Sequence, residues 1–143
     1  MTGLFSGPWD KKLLSVEGTK LSLNDIEHRI LRPIWEDPRN HYALNCASIG
    51  CPHLQKTAYT SENLEVLLDS AAREYLAHSR ALDLGRSQLT LSSIYDWFAS
   101  DFGGSEESII DHIQNYVDPD VADALKAFNG RIRYRYDWSL NEP

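Results

Sequence analysis

Arg131-Ile-Arg-Tyr-Arg-Tyr-Asp-Trp138 alternates polar or charged side chains with apolar or aromatic ones at every step. A period of two places Arg131, Arg133 and Arg135 on one face and Ile132, Tyr134 and Tyr136 on the other, the pattern of a strand with one side in a core and one in water. The arginine face reads either as a solvated surface or as a patch for an anion or a partner.

Moving back from this strand, the spacing predicts short hairpins and helices. Leu13–Val16 and Lys20–Ser22 flank Glu17-Gly18-Thr19, and Ala81–Leu84 and Gln88–Leu91 flank Gly85-Arg86-Ser87, two apolar-rich pairs around glycine turns. Ser22 with Asp25, or Asn24 with Glu27, offers a capping box for a helix carrying Leu23, Ile26, Ile30 and Leu31 inward, with Pro33 ending it near Arg32. Tyr42–Cys46 reads as a short buried strand. The clearest helix covers about 61–78, with Ser61 as its N-cap and Leu64, Leu67, Leu68, Ala71, Ala72, Tyr75 and Leu76 as one stripe. Another runs from Ser92 or Ser93 through Phe98 to Gly103-Gly104, one opens at Ser105 with His112 facing solvent, and one begins at Pro119. Asn129-Gly130 then turns the chain into the final strand. Strands and helices are interspersed without a regular βαβ rhythm, so the fold class is α+β: short antiparallel hairpins and a C-terminal strand packed by four or five helices.

With 143 residues the chain has the size of one domain. Acidic residues outnumber basic ones by 21 to 14, and a net charge of −7 argues against a general nucleic-acid surface, which is built on clustered Lys and Arg. No apolar run approaches the roughly 20 residues that cross a bilayer. The opening Met1–Trp9 has neither the basic nor the apolar region of a signal peptide.

The chemistry concentrates in His41-Tyr-Ala-Leu-Asn45-Cys46-Ala-Ser48-Ile-Gly-Cys51-Pro-His53-Leu54, which holds both cysteines and two of the five histidines. Three chemistries fit. A disulfide between Cys46 and Cys51 would pin the loop, adding about 2 kcal/mol by chain entropy, and would place the protein in an oxidising compartment. A thiol nucleophile at Cys46 or Cys51 would need an imidazole such as His41 as base and a carboxylate such as Asp137 to orient it. A metal held by His41, Cys46, Cys51 and His53 is the least well formed, because structural zinc sites show two tight ligand pairs across a longer connector.

Three segments carry a likeness: Leu23-Asn-Asp-Ile-Glu27-His28-Arg-Ile-Leu-Arg32, His41 through Pro52, and Tyr136-Asp137-Trp138-Ser-Leu-Asn141. In that order they resemble the domain-of-unknown-function family numbered 547, from about Gly7 to Asn141. The resemblance implies bacterial proteins that are often exported or lipid-anchored, with plant and animal relatives and no assigned reaction. It carries over Glu27, His28, His41, Asn45, Cys46, Ser48, Cys51, Pro52, Asp137 and Trp138. Members have a further helix-rich upstream segment with an Asn-Ala-Tyr-Asn type motif that nothing here matches, so residues 1–143 read as a single domain forming the carboxy-terminal part of a larger one. The surface left by that segment would invite self-association or a partner.

The leading expectation is a non-catalytic binding or structural module, periplasmic or extracellular, with a cysteine-pinned loop. The alternative is a thiol-dependent hydrolase or transferase with Cys46 or Cys51, His41 and Asp137 as catalytic residues. Candidate binding residues are Glu27, His28, Asn45, Ser48 and Trp138. The partner is an unidentified protein or small molecule, and no cofactor is expected.

Overall fold

The computed structural model describes residues 7–141, and the backbone divides into two units, Met1–Pro38 and Arg39–Pro143. In the first, a 3-10 turn (Pro8–Asp10) precedes an antiparallel hairpin of β1 (Leu14–Val16) and β2 (Thr19–Leu21). Its two-residue turn puts Glu17 at φ 48° and Gly18 at φ 80°, the left-handed pair that matches the twist of a tight hairpin. Ser22 then caps α1 (Leu23–Asp25): its Oγ accepts from the Asp25 amide at 3.1 Å, while Asp25 Oδ2 accepts from the Ser22 amide at 3.0 Å. Those two Ser22 bonds, with help from Arg29 and Lys12, hold the Asp25 carboxyl below the usual carboxylate range.

Helical winding does not stop before Pro33. It continues as a π-helix (Ile26–Trp35) with Pro33 inside, and ends where Glu36 turns left-handed at φ 51°. A proline ring clashes with the carbonyl four residues back in an α-helix, and the wider π turn gives it room. That alternative is invisible to a rule that treats proline as a helix stop. Ser22 is the one fully buried side chain among the described residues of this unit.

The second unit opens with α2 (Asn40–Ala43), where an extended strand is expected from residue 42. The reason lies in consecutive burial: Asn40, His41 and Tyr42 are all buried, and a strand would send every second one into water. Arg39 ties α2 to α3 (Leu64–Leu76), donating to Asp69 Oδ1 at 2.7 Å and to Glu65 Oε2 at 2.8 Å. The buried stripe of α3 is Leu68, Ala71, Ala72, Tyr75 and Leu76, as periodicity predicts. Its N-cap position is Asn63 rather than Ser61; Asn63 Oδ1 accepts from the Thr60 amide at 2.8 Å.

Next come β3 (Leu82–Leu84) and β4 (Gln88–Ser92), antiparallel across the Gly85 turn. They are followed by α4 (Ile94–Trp97), a 3-10 turn (Ala99–Phe102), α5 (Glu106–Gln114) and α6 (Pro119–Lys126). Gly103 and Gly104, at φ 93° and 82°, provide the left-handed exit before Ser105 caps α5. The last strand, β5 (Arg131–Arg135), lies beside β4 in parallel, in the order β3-β4-β5. The helices between β4 and β5 form the crossover that parallel pairing requires. Strand character ends at Arg135, three residues before the alternation does. The α+β class holds, with β4 in the centre and Leu89 and Leu91 in a core shared with Tyr42, Tyr75, Tyr95, Ile109, Ile113 and Leu125.

Candidate functional site

Cys46 and Cys51 are joined by a disulfide, with their Cα atoms 6.1 Å apart. A loop turning this sharply needs internal support, and Asn45 supplies it: Nδ2 donates to the Pro52 carbonyl at 2.8 Å and Oδ1 accepts from the Ala47 amide at 2.9 Å. Ala47 is held at φ 62°. The Cys46 amide points at Cys51 Sγ, 2.8 Å away.

The segment after β5 lies along this loop. Gly50 N donates to the Asp137 carbonyl at 2.9 Å, Ile49 N to Ser139 at 2.8 Å, and Asn141 N to Ala47 at 2.9 Å, with Ser48 and Leu140 opposed as an isolated antiparallel bridge. Gly50 permits this approach: a Cβ there would lie 2.9 Å from the Tyr136 ring and 3.0 Å from the Asp137 backbone. Beneath the loop, Tyr75 Oη donates to the Gly50 carbonyl at 2.8 Å and lies 2.9 Å from Ser92 Oγ. Burial pushes the Tyr75 phenol up to about 12, although Ser92 and Arg80 oppose the shift.

Tyr136 is the residue that sequence reasoning overlooked. Its hydroxyl sits 3.0 Å from Cys46 Sγ and 3.1 Å from Cys51 Sγ, and accepts from Ser48 Oγ at 3.0 Å. Bonded sulfurs have no proton to give, so the phenol is the donor to them. Burial raises the Tyr136 pKa, with Ser48 and Arg80 pulling the other way, so the proton remains on the phenol at neutral pH. The alternation at 131–138 marked Tyr136 as inward-facing, but nothing in it said that a sulfur pair would be what it faces.

On the outer side of Tyr136 stand two tryptophans. The ring centroids are 4.8 Å apart for Trp97 and Tyr136, 4.7 Å for Tyr136 and Trp138, and 5.3 Å for Trp97 and Trp138. Trp97 is 46% exposed and Trp138 68% exposed, so this aromatic cluster meets solvent directly. Arg80 flanks the loop, with Nη1 donating to the Ile49 carbonyl at 3.4 Å, its guanidinium 5.8 Å from the centre of the Tyr75 ring, and Nε and Nη2 buried without a protein partner.

The remaining predicted residues go elsewhere. His41 is buried with its ring stacked on Phe98 at 4.3 Å, and Nε2 lies 2.8 Å from Asp101 Oδ2. Asp137 is beside the loop through its backbone, while its carboxylate accepts from the Ser139 amide at 2.9 Å. The Ser139 amide and hydroxyl, with Arg135 adding, hold that carboxyl below its usual range. Thus the disulfide, Asn45, Ser48, Asp137 and Trp138 come together, and His41 makes its carboxylate contact with Asp101. Glu27 and His28 belong to the first unit, on the π-helix, where His28 Nδ1 is 3.9 Å from Glu27 Oε1 and 3.1 Å from Arg32 Nη1.

His112 does not face solvent as its helical position suggests. Its Nε2 lies 2.9 Å from Tyr42 Oη, which in turn lies 3.0 Å from Tyr95 Oη, and its ring stacks on Tyr42 at 5.8 Å. Burial first, and the neighbouring Tyr95 second, push the Tyr42 phenol well above its ordinary range, and burial raises Tyr95 against the opposing hydrogen bond with Tyr42. Among the described residues no three His, Cys, Asp or Glu side chains gather as a metal cluster, and no helix is long and apolar enough to cross a membrane.

The model of a family described as "Protein of unknown function, DUF547" matches residues 3–76, just over half of the chain. The span takes in the first two of the three segments singled out above, the whole cysteine loop and α3; Tyr136–Asn141 falls outside it. No curated protein and no solved structure matches the chain.

Proposed function

Because the chain belongs to the DUF547 family, whose function is unknown, its side chains must supply the reading, and we propose a non-catalytic binding module of an oxidising, extracytoplasmic compartment. The observation that carries it is the pair of exposed tryptophans, Trp97 and Trp138, packed on the half-buried Tyr136, whose hydroxyl anchors the cluster on the disulfide. Exposed tryptophans held at fixed geometry offer large contact area at little entropic cost, which is what recognition surfaces use. In this reading Asn45 and Ser48 shape the loop, Trp138 touches the ligand, and Arg80 offers charge beside it. The first unit, where Glu27 and His28 lie, exposes Leu13, Val16, Ile34 and Trp35. Those side chains are the surface for self-association or a partner, and a single monomer mass by light scattering at high concentration would count against that part.

A disulfide-bonded sulfur is not a nucleophile, so the oxidised protein has no thiolate for acyl transfer. The alternative thiol hydrolase or transferase draws on the two donors aimed at Cys51 Sγ, the Cys46 amide and the Tyr136 phenol, which would stabilise a thiolate in the reduced form. One experiment separates the readings. Tryptophan fluorescence is titrated with oligosaccharides and with proline- and aromatic-rich peptides for the native protein, the reduced protein and Trp138→Ala. Binding that is lost in Trp138→Ala and weakened by reduction supports the module. Hydrolysis of activated esters that appears on reduction and vanishes after iodoacetamide would replace it with the enzyme.

A further inference from the structure

The three arginines that open β5 take no part in the surface just described, and they occupy an edge. With the order β3-β4-β5, one side of β5 pairs with β4 and the other has no strand beside it among the described residues. The Arg131 amide donates to Ser87 and the Arg135 carbonyl accepts from Ser93, so the backbone groups of Arg131, Arg133 and Arg135 point toward β4. Those of the intervening Ile132 and Tyr134 therefore point outward, each with a donor and an acceptor. Ile132 and Tyr134 direct their side chains to the core, and all three arginine side chains are exposed.

In a chain of net charge −7, none of these arginines makes an ion pair among the described residues. Their neighbours in the β4 register are Gln88, Thr90 and Ser92, which are neutral. Across the sheet in the Arg133 row stands Asp83, on the far side of Thr90. The sheet thus leaves three positive charges, one at every second residue, along its outer strand, with only Arg135 near a carboxylate of its own segment, that of Asp137.

From this juxtaposition we propose that β5 is a docking edge for an acidic extended segment of another protein, which adds as a fourth strand with carboxylates at alternate positions. An added strand has the same residue period as β5, so Asp or Glu at every second residue falls opposite Arg131, Arg133 and Arg135 on one face. A second copy of this chain is disfavoured, because antiparallel pairing of β5 with β5 sets arginine opposite arginine, and parallel pairing through the same edge turns one copy's arginines to the core-facing side of the other's sheet. The proposal is independent of the tryptophan cluster.

The test uses the full chain and a labelled peptide of alternating Glu and Val, followed by fluorescence anisotropy at low and high salt and by amide hydrogen exchange. Binding is expected to weaken with salt, to fall about tenfold in Arg133→Glu, and to slow exchange of the Ile132 and Tyr134 amides in particular. A second peptide of the same sequence carries N-methyl groups on the amides that would pair with β5, and it should not bind. Equal affinity for that peptide would overturn strand addition in favour of simple charge attraction. Tighter binding of oligothymidylate would overturn the class of partner. No binding to either peptide would leave the arginines as guards against edge-to-edge aggregation and end the proposal.

Discussion

Replacing Gly50 with alanine tests whether the cysteine loop is held by its fit against the chain that follows β5. The new Cβ would stand 2.9 Å from Tyr136 Cε2 and 3.0 Å from both the nitrogen and the carbonyl oxygen of Asp137. The ring can give way, but the Asp137 backbone cannot move without disturbing the Gly50 and Ile49 amide bonds to Asp137 and Ser139, at 2.9 and 2.8 Å. Overpacking of this kind costs about 1–3 kcal/mol. Weakening those bonds and the Tyr75 bond to the Gly50 carbonyl adds about 1 kcal/mol, for a total of about 3 kcal/mol. In a unit of roughly a hundred residues each kcal/mol moves Tm by about 4–5 °C, so Gly50→Ala should melt about 12–15 °C lower. Thermal denaturation followed by circular dichroism reads this directly. Gly104→Ala is the control, since its Cβ meets nothing within 4 Å and only the left-handed backbone at φ 82° is strained; its cost should be about 1 kcal/mol. A Gly50→Ala shift of less than about 2 °C, or one equal to that of Gly104→Ala, would refute the close approach as the source of stability.

Further outcomes follow from the same geometry. Denatured protein should show no reactive thiols before reductant and both afterwards, and the Cys46→Ala/Cys51→Ala variant should lose about 2 kcal/mol in urea denaturation; two free thiols without reductant would contradict the bond. Tyr42, Tyr75 and Tyr95 have raised pKa values when folded. Their contribution is fully present below pH 10, the unfolded value, and is lost as pH climbs toward the folded values, at about 4 kcal/mol per pH unit for the three together. Tyrosinate absorbance and loss of circular dichroism should therefore rise in one step above pH 10, and smooth titration of a still-folded protein would contradict this. Ser22→Ala removes the capping box and should destabilise the first unit by about 1 kcal/mol, seen as faster amide exchange at Asp25 and unchanged exchange in β4.

Local signals in the sequence found most of the elements. The Glu17-Gly18 hairpin, the Ser22 and Ser105 caps, the α3 stripe and the Pro119 start each depend on residues within about four positions, where propensity and spacing are informative. The misses share another origin. Residues 40–43 became helical because His41 and Tyr42 both have tertiary partners, Asp101 and Tyr95, 60 and 53 positions away. His112 was drawn inward by Tyr42 in the same manner. The parallel β4–β5 pairing depends on where three helices return the chain, which alternation at 131–135 does not encode. At the site, clustering of Cys46 and Cys51 in sequence revealed the ring, but the Tyr136 hydroxyl above it and the Trp97 flank arrive from elements 85 and 46 residues past Cys51. Only the inward-facing assignment of Tyr136 was there to be read.

The bonds between the loop and residues 137–141 also have a meaning in time. During synthesis the chain appears from its first residue onward, so Cys46 and Cys51 are both in place while the segment that lies along their loop is still unmade. Until Asp137 and Ser139 arrive, the amides of Gly50 and Ile49 stand open on that loop. For that interval the nascent protein presents an edge that any extended peptide can occupy, including the same segment of a neighbouring chain. The order of emergence, rather than the finished contacts, therefore sets where assistance or crowding during production would matter most.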